Sequence, residues 1–94
     1  MTDKKRIEEF LRTDVQFDLQ WADALISKAK TALKDAEYQW EGSANANLIC
    51  IDRAGVRLEP LHEQYASDLL LSHDSFILTL ENWKKKIEAD RALS

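Results

Sequence analysis

The sequence has little of the residue types that carry most protein chemistry. Its 94 residues include one cysteine, two glycines and one proline. A single cysteine cannot form an internal disulfide, and no cysteine–histidine cluster has the spacing of a zinc site. Both glycines stand alone, which argues against a glycine-rich phosphate-binding loop. We therefore predict no metal, no cofactor and no catalytic residue.

Long hydrophobic runs are missing as well. The longest apolar run, residues 48–51, falls far short of the ~20 residues that a membrane span needs. The first ten residues, MTDKKRIEEF, contain no apolar segment typical of a signal peptide. We therefore expect no membrane partner, and a reducing cytoplasm is the simplest location.

The charge distribution indicates what kind of partner the chain could have. Charged residues make up 32% and hydrophobic residues 45% of the sequence, which is typical of one globular domain spanning residues 1–94. The net charge is −4, but residues 35–81 alone carry nine acidic and two basic side chains. An acidic field repels nucleic acid and attracts basic proteins. We expect no direct contact with nucleic acid.

Hydrophobic periodicity predicts two helices before residue 35. A short first helix ends near Thr13, and Thr13 and Gln16 then have the spacing of a capping box. The second helix is predicted from a seam with helical spacing, formed by Val15, Leu19, Ala22, Ile26, Ala29 and Leu33 and widened by Phe17, Trp21 and Leu25. Residues 15–21 also alternate apolar with polar, so a strand is the alternative for that stretch.

The middle of the chain predicts strands. The segment LICIDRAGVRLE reads as a hairpin with a three-residue loop in which Gly55 supplies the left-handed position. That loop places Cys50 opposite Leu58, and it puts Leu48, Cys50, Val56 and Leu58 on the face that packs against helix. Residues 69–71 predict another short strand, whereas residues 37–41 could lie inside or outside the sheet.

A third helix is predicted to start near Ser72, with Phe76, Leu80, Trp83 and Ile87 at helical spacing. The fold class that follows is a small two-layer α+β domain. It consists of two N-terminal helices, a three- or four-stranded antiparallel sheet with a β-hairpin, and a C-terminal helix.

Few side chains suggest catalysis. Cys50 is predicted to lie in the core, where burial raises the pKa of a thiol and makes it inert. His62 and His73 could meet in space and bind a metal or move protons, but their spacing matches no ligand signature. An enzyme that uses these two histidines is therefore the weakest hypothesis.

Binding residues are predicted around the hairpin and the loop that follows it. Carboxylates beside an aromatic side chain suit a binding hot spot, and this set comprises Asp52, Glu59, Glu63, Tyr65 and Asp68. Asp14 and Asp18 share a face of the predicted second helix and form a reserve patch. Trp40 is a further aromatic candidate.

Residues 33–87 resemble a known family. LKDAEYQWEGSANANLICIDRAGVRLE, followed by LLLSHDSFILTLENWKKKI, resembles the layout of the YacL-like small bacterial proteins, with Trp40, Phe76 and Trp83 as fixed points. Similar small acidic α+β proteins occur among the immunity proteins of contact-dependent growth-inhibition systems. The resemblance implies a fold and brings no catalytic residues.

Two functions are compatible with these features. The first is a cytoplasmic immunity protein that occludes a basic, nuclease-type toxin with its acidic surface. The second is a housekeeping domain with a structural role, in which a free sheet edge pairs in a homodimer.

Overall fold

The computed structural model describes residues 2–61 and 68–93. In chain order the elements are helix α1 (Thr2–Phe10), a π-helical turn (Leu11–Val15), helix α2 (Leu19–Lys34), strands β1 (Trp40–Ser43), β2 (Asn47–Asp52), β3 (Gly55–Pro60) and β4 (Leu69–Leu71), and helix α3 (His73–Leu93). The predicted α+β class is confirmed, with all four predicted or possible strands in one antiparallel sheet.

The sheet is a simple meander in the order β1-β2-β3-β4. Its inner face packs against the helices, and the core contains side chains of every helix together with alternate residues of the strands. The fully buried inward side chains of the two central strands are Ile49, Ile51, Val56 and Leu58. The domain therefore has two layers. The helices cover one face of the sheet, and no helix in the described part of the chain covers the other face.

The register of the hairpin differs from the prediction. Its loop holds only Arg53 and Ala54, and Cys50 lies opposite Arg57 instead of Leu58. A shift of one residue turns a strand's side chains to the opposite face, because side chains alternate with a period of two. The prediction that Cys50 packs against the helices is therefore wrong.

Leu48 moves to the outer face together with Cys50, and Ile49 and Ile51 take the inner positions. The sequence could not decide between the two arrangements because residues 48–51 are all apolar. An uninterrupted apolar run carries no alternation to show which residues point inward.

Gly55 fits the new register. Its φ is +140°, and a Cβ at this position would lie 2.7 Å from the carbonyl oxygen of Leu71 in β4. A side chain is therefore excluded both by the backbone conformation and by the neighbouring strand.

Helix α2 starts later than predicted. It begins at Leu19, after the π-helical turn and an irregular stretch in which Gln16 has a φ of +58°. Residues 16–18 are thus neither the helix nor the strand considered from the sequence, and Val15 ends the π-helical turn. Val15 is still in the core, but Phe17 is 64% and Leu33 52% exposed, so both were wrongly assigned to the buried seam.

The C-terminal part follows the sequence closely. The hydroxyl of Ser72 accepts a hydrogen bond from the backbone N–H of Ser75 at 3.1 Å, so Ser72 caps α3, and the helix starts where the sequence predicts. Phe76, Leu80 and Ile87 are buried as expected. Within residues 2–61 and 68–93, none of the helices combines the length and apolar character of a membrane span.

Candidate functional site on the outer face of the sheet

The face of the sheet that points away from the helices gathers most of the polar strand residues. We call it the outer face and define it by Glu41, Ser43, Leu48, Cys50, Asp52, Arg57, Glu59, Asp68 and Leu70. The strand register aligns Glu41, Cys50, Arg57 and Leu70 in one row across all four strands. The outer face thus juxtaposes acidic, basic, thiol and apolar groups that are far apart in sequence.

A hydrogen-bonded cluster lies at the centre of this face. The Sγ of Cys50 is 3.3 Å from Glu59 Oε2 and 3.6 Å from Glu41 Oε2. Arg57 Nε donates to the same Glu59 oxygen at 2.9 Å. The thiol is only 7% exposed, because these longer side chains cover it.

The cluster sets the protonation states of its members. Burial and the hydrogen bond to Glu59 raise the pKa of Cys50 to about 11. The hydrogen bonds from Cys50 and Arg57 in turn lower the pKa of Glu59 below its usual value. At neutral pH the site therefore combines a neutral thiol with a carboxylate, and it lacks the thiolate that a cysteine nucleophile needs.

Three of the residues predicted to bind a partner lie on this face. Glu59 and Asp68 flank Arg57, whose Nε is 3.8 Å from Asp68 Oδ2. Asp52 lies at the hairpin end, where its Oδ1 accepts a hydrogen bond from the Ala54 N–H at 2.8 Å.

The outer face is acidic even after its ion pairs are counted. With Glu41 it carries four carboxylates against the single guanidinium of Arg57, which gives a formal charge of −3. Arg53 is exposed in the adjoining hairpin loop and offsets part of this charge. The carboxylates of Asp52, Glu59 and Asp68 are therefore gathered and only partly neutralised.

The outer face contains two open depressions. One, of about 260 Å³, lies between Asp52, Arg57 and the exposed side chain of Leu70. The other, of about 430 Å³, lies between Glu41, Asp52 and Arg57. Both could receive a side chain of a protein partner, and Asp52 lines both of them.

The reserve patch of Asp14 and Asp18 is not one surface, contrary to the prediction. Asp14 is 6% exposed, and its carboxylate accepts hydrogen bonds from the Ala46 N–H at 2.6 Å and from Asn47 Nδ2 at 2.8 Å. It fixes the π-helical turn to the connection between β1 and β2. Burying a carboxylate is costly, and the hydrogen bonds from these two donors offset that cost.

Asp18 has a different structural role. Its Oδ1 accepts a hydrogen bond from the Trp21 N–H at 3.0 Å, so it is the N-cap of α2. A carboxylate at this position also interacts favourably with the helix dipole. The capping box predicted at Thr13 and Gln16 is therefore wrong, and the cap lies later in the chain.

Of the two histidines considered as catalytic or metal-binding residues, the structure describes only His73. His73 is 9% exposed, and its Nε2 lies 2.6 Å from the carbonyl oxygen of Asp52. This contact joins the start of α3 to the end of β2. The predicted candidates His62, Glu63 and Tyr65 lie outside the described residues. No group of three or more potential metal ligands is found in the part of the chain that the structure describes.

Glu41 and Leu70 belong to the site but were not singled out from the sequence. Glu41 could have been found by assigning residues 40–43 to the sheet, because Trp40 packs against the core and its neighbour then points outward. Leu70 is 72% exposed between two leucines that face inward. An apolar triplet gives no sign of which member is exposed.

Comparison with known proteins adds no further constraint. No protein-family model matches the chain, and neither a curated protein nor a solved structure shows significant similarity to it.

Proposed function

We propose that this chain is a non-enzymatic binding protein that uses the outer face to cover a basic protein partner. The observation that carries the proposal is the convergence of Glu41, Asp52, Glu59 and Asp68 on a sheet face that none of the described helices covers. Exposed Leu70 supplies apolar area at the same place.

The physical basis is steering followed by occlusion. A surface with a concentrated charge of one sign raises the rate at which an oppositely charged protein docks. A nuclease presents such a target, because an active site that binds phosphates is cationic. We therefore infer an immunity protein that neutralises a nuclease-type toxin in the cytoplasm. The resemblance to immunity proteins of contact-dependent growth-inhibition systems is compatible with this proposal, and membership of such a family remains a prediction.

The housekeeping alternative also has an observation in its favour. In the described part of the chain, β1 and β4 each have a neighbouring strand on one side only. An unpaired edge is a template for pairing with another strand, and pairing between two copies would give a homodimer with a continuous sheet. Its interface would be backbone at an edge, whereas the toxin inhibitor would use side chains of the outer face.

A charge-reversal experiment tests the proposal. The tagged chain is used to capture proteins from its own cells, and each captured protein is then produced alone and with the chain. We expect a basic protein that stops growth alone and is tolerated beside the wild type. Protection should disappear with Glu41→Lys combined with Asp68→Lys, because both substitutions reverse the charge of the outer face.

The matched control is Glu8→Lys combined with Glu81→Lys. These side chains are exposed on α1 and α3, so the net charge changes equally while the outer face stays intact. Protection should persist with this control. Loss of protection with both pairs, or no growth-inhibiting protein among those captured, would contradict the proposal.

A further inference from the structure

A second surface, on the helical side of the molecule, exposes an aromatic side chain. Phe17 is 64% exposed, and its ring stacks on that of Trp83 with centroids 6.1 Å apart and an interplanar angle of 18°. We call Phe17, Trp83, Lys86 and Arg91 the aromatic ledge. Large exposed aromatic side chains are enriched where proteins contact one another.

The backbone holds Phe17 in this exposed position. Gln16 has a positive φ of 58°, a conformation that is uncommon for residues other than glycine. Two long-range hydrogen bonds secure it: Trp83 Nε1 donates to the Gln16 carbonyl at 2.6 Å, and Arg91 donates to the Phe17 carbonyl at 3.2 Å. The projection of Phe17 is therefore built into the fold.

The aromatic ledge has more bases than acids around it, with Lys86 and Arg91 against Asp90. Lys86 Nζ lies 5.5 Å from the centroid of the Trp83 ring, and the guanidinium of Arg91 donates to the Phe17 carbonyl. A depression of about 280 Å³ is lined by Phe17, Ile87, Asp90 and Arg91. This surface suits an apolar side chain that has carboxylates beside it.

The outer face presents that combination. Leu70 is 72% exposed, and it lies in the same row as Arg57, which is flanked by the carboxylates of Glu59 and Asp68. An apolar residue among acids on one surface thus complements an aromatic pair among bases on another. Both surfaces belong to every copy of the chain.

We propose that two copies of this chain dock head to tail, with the outer face of one copy on the aromatic ledge of the next. An interface between two different patches is heterologous, so each copy retains one unused patch and further copies can add. Because docking uses the outer face, a second copy and a basic partner would exclude each other. The proposal itself does not depend on the function of that partner.

Sedimentation velocity of the full chain, over a range of concentrations, tests the proposal. We expect the sedimentation coefficient of the wild type to rise with concentration, and to rise less in about 1 M salt, where the Debye length falls to about 3 Å. Phe17→Gln removes the ledge and Leu70→Gln removes the apolar centre of the outer face, so each variant alone should remain a monomer.

Mixing the two variants provides the decisive measurement. Phe17→Gln retains its outer face and Leu70→Gln retains its ledge, so an equimolar mixture should form a dimer and nothing larger. Leu78→Gln is the control, since this leucine is 59% exposed on α3 outside both surfaces, and it should associate like the wild type.

Three results would overturn the proposal. They are a wild type that is monomeric at every concentration, variants that still associate alone, and a mixture that stays monomeric. Association that survives both substitutions would instead indicate pairing of strand edges. The toxin proposal is tested separately, because Phe17→Gln leaves the outer face intact and should still protect cells.

Discussion

The connector between α1 and α2 and the outer face of the sheet both carry pairs of carboxylates, yet they use them in opposite ways. In the connector, Asp14 is buried and satisfied by donors of the chain, and Asp18 caps a helix. On the outer face, Glu41 and Asp68 remain exposed. The difference shows that nearby hydrogen-bond donors of the chain decide whether a carboxylate stabilises the fold or remains exposed on the surface.

Removing the carboxylate of Asp14 should have the largest effect on stability. Asp14→Ala leaves the Ala46 N–H and the Asn47 amide without their acceptor in a buried place, and we expect a loss of about 3 kcal/mol in the free energy of unfolding. Urea unfolding measures it. Asp68→Ala is the control from the outer face and should cost less than about 0.5 kcal/mol. Equal losses would remove the distinction between the two regions.

Asp18 should have an intermediate effect. Asp18→Ala removes the N-cap acceptor of α2, and we expect a loss of about 1 kcal/mol. Asp18→Asn keeps an acceptor oxygen and should restore most of the stability in the same urea unfolding experiment. If the Asn variant were as unstable as the Ala variant, interaction of the charge with the helix dipole would outweigh the hydrogen bond.

Cys50 provides a test on the outer face itself. Its pKa is raised from 9.0 to about 11, so the protonated thiol is favoured in the folded state. The stabilisation is fully present below pH 9 and is lost as the pH rises from 9 to 11. Over that window the wild type should therefore lose more stability than Cys50→Ala.

Ultraviolet absorbance of the thiolate measures the same pKa directly. Glu59→Gln should lower the pKa of Cys50 part of the way towards its ordinary value, because burial, the larger cause, remains. Glu8→Gln, far from the thiol in sequence and on α1, should leave it unchanged. A pKa of Cys50 that stayed the same in Glu59→Gln would mean that burial alone raises it.

The smallest effect on stability is expected where the largest effect on binding is proposed. Glu41→Lys with Asp68→Lys should change the free energy of unfolding by less than about 1 kcal/mol in all. The association rate with the captured basic partner should nevertheless fall by a factor of about 10 or more at low salt. Stopped-flow measurements at two ionic strengths check this, and a rate insensitive to salt would contradict steering.

The elements whose patterns are local were predictable. Helix α3 has a capping serine and apolar residues at regular helical spacing, and β4 is a short apolar run between polar residues, so neither depends on distant parts of the chain. The seam of α2 was also found from Ala22 to Ala29, where the spacing is continuous.

The prediction for the connector was wrong because groups from distant parts of the chain form hydrogen bonds with its backbone. The side chains of Asn45 and Trp83 donate to the carbonyls of Thr13 and Gln16, respectively, and a sequence pattern cannot show such partners. Local signals at Thr13 and Gln16 favoured a helix start there. The long-range hydrogen bonds stabilise a different conformation and delay the helix to Leu19.

The candidate site was predicted only in part, because some of its residues are brought together by strand pairing between distant parts of the chain. Asp52, Glu59 and Asp68 follow from their place near the hairpin, whatever the exact register of the strands. Glu41 and Leu70 enter only when β1 and β4 are paired with their neighbours. Cys50 joins them only when the hairpin takes its observed register.

The sequence by itself determined the α+β class, the strand-rich middle and the excess of acid there, because each depends on composition and short-range spacing. The tertiary structure decided which face each residue of β2 occupies and which carboxylates remain exposed. The physical reason is that residues 48–51 are apolar throughout, so only packing of Ile49 and Ile51 against the helices, with Gly55 close to Leu71, selects one register. Likewise, Asp14 became a structural residue only because the turn before β2 brings its donors within reach.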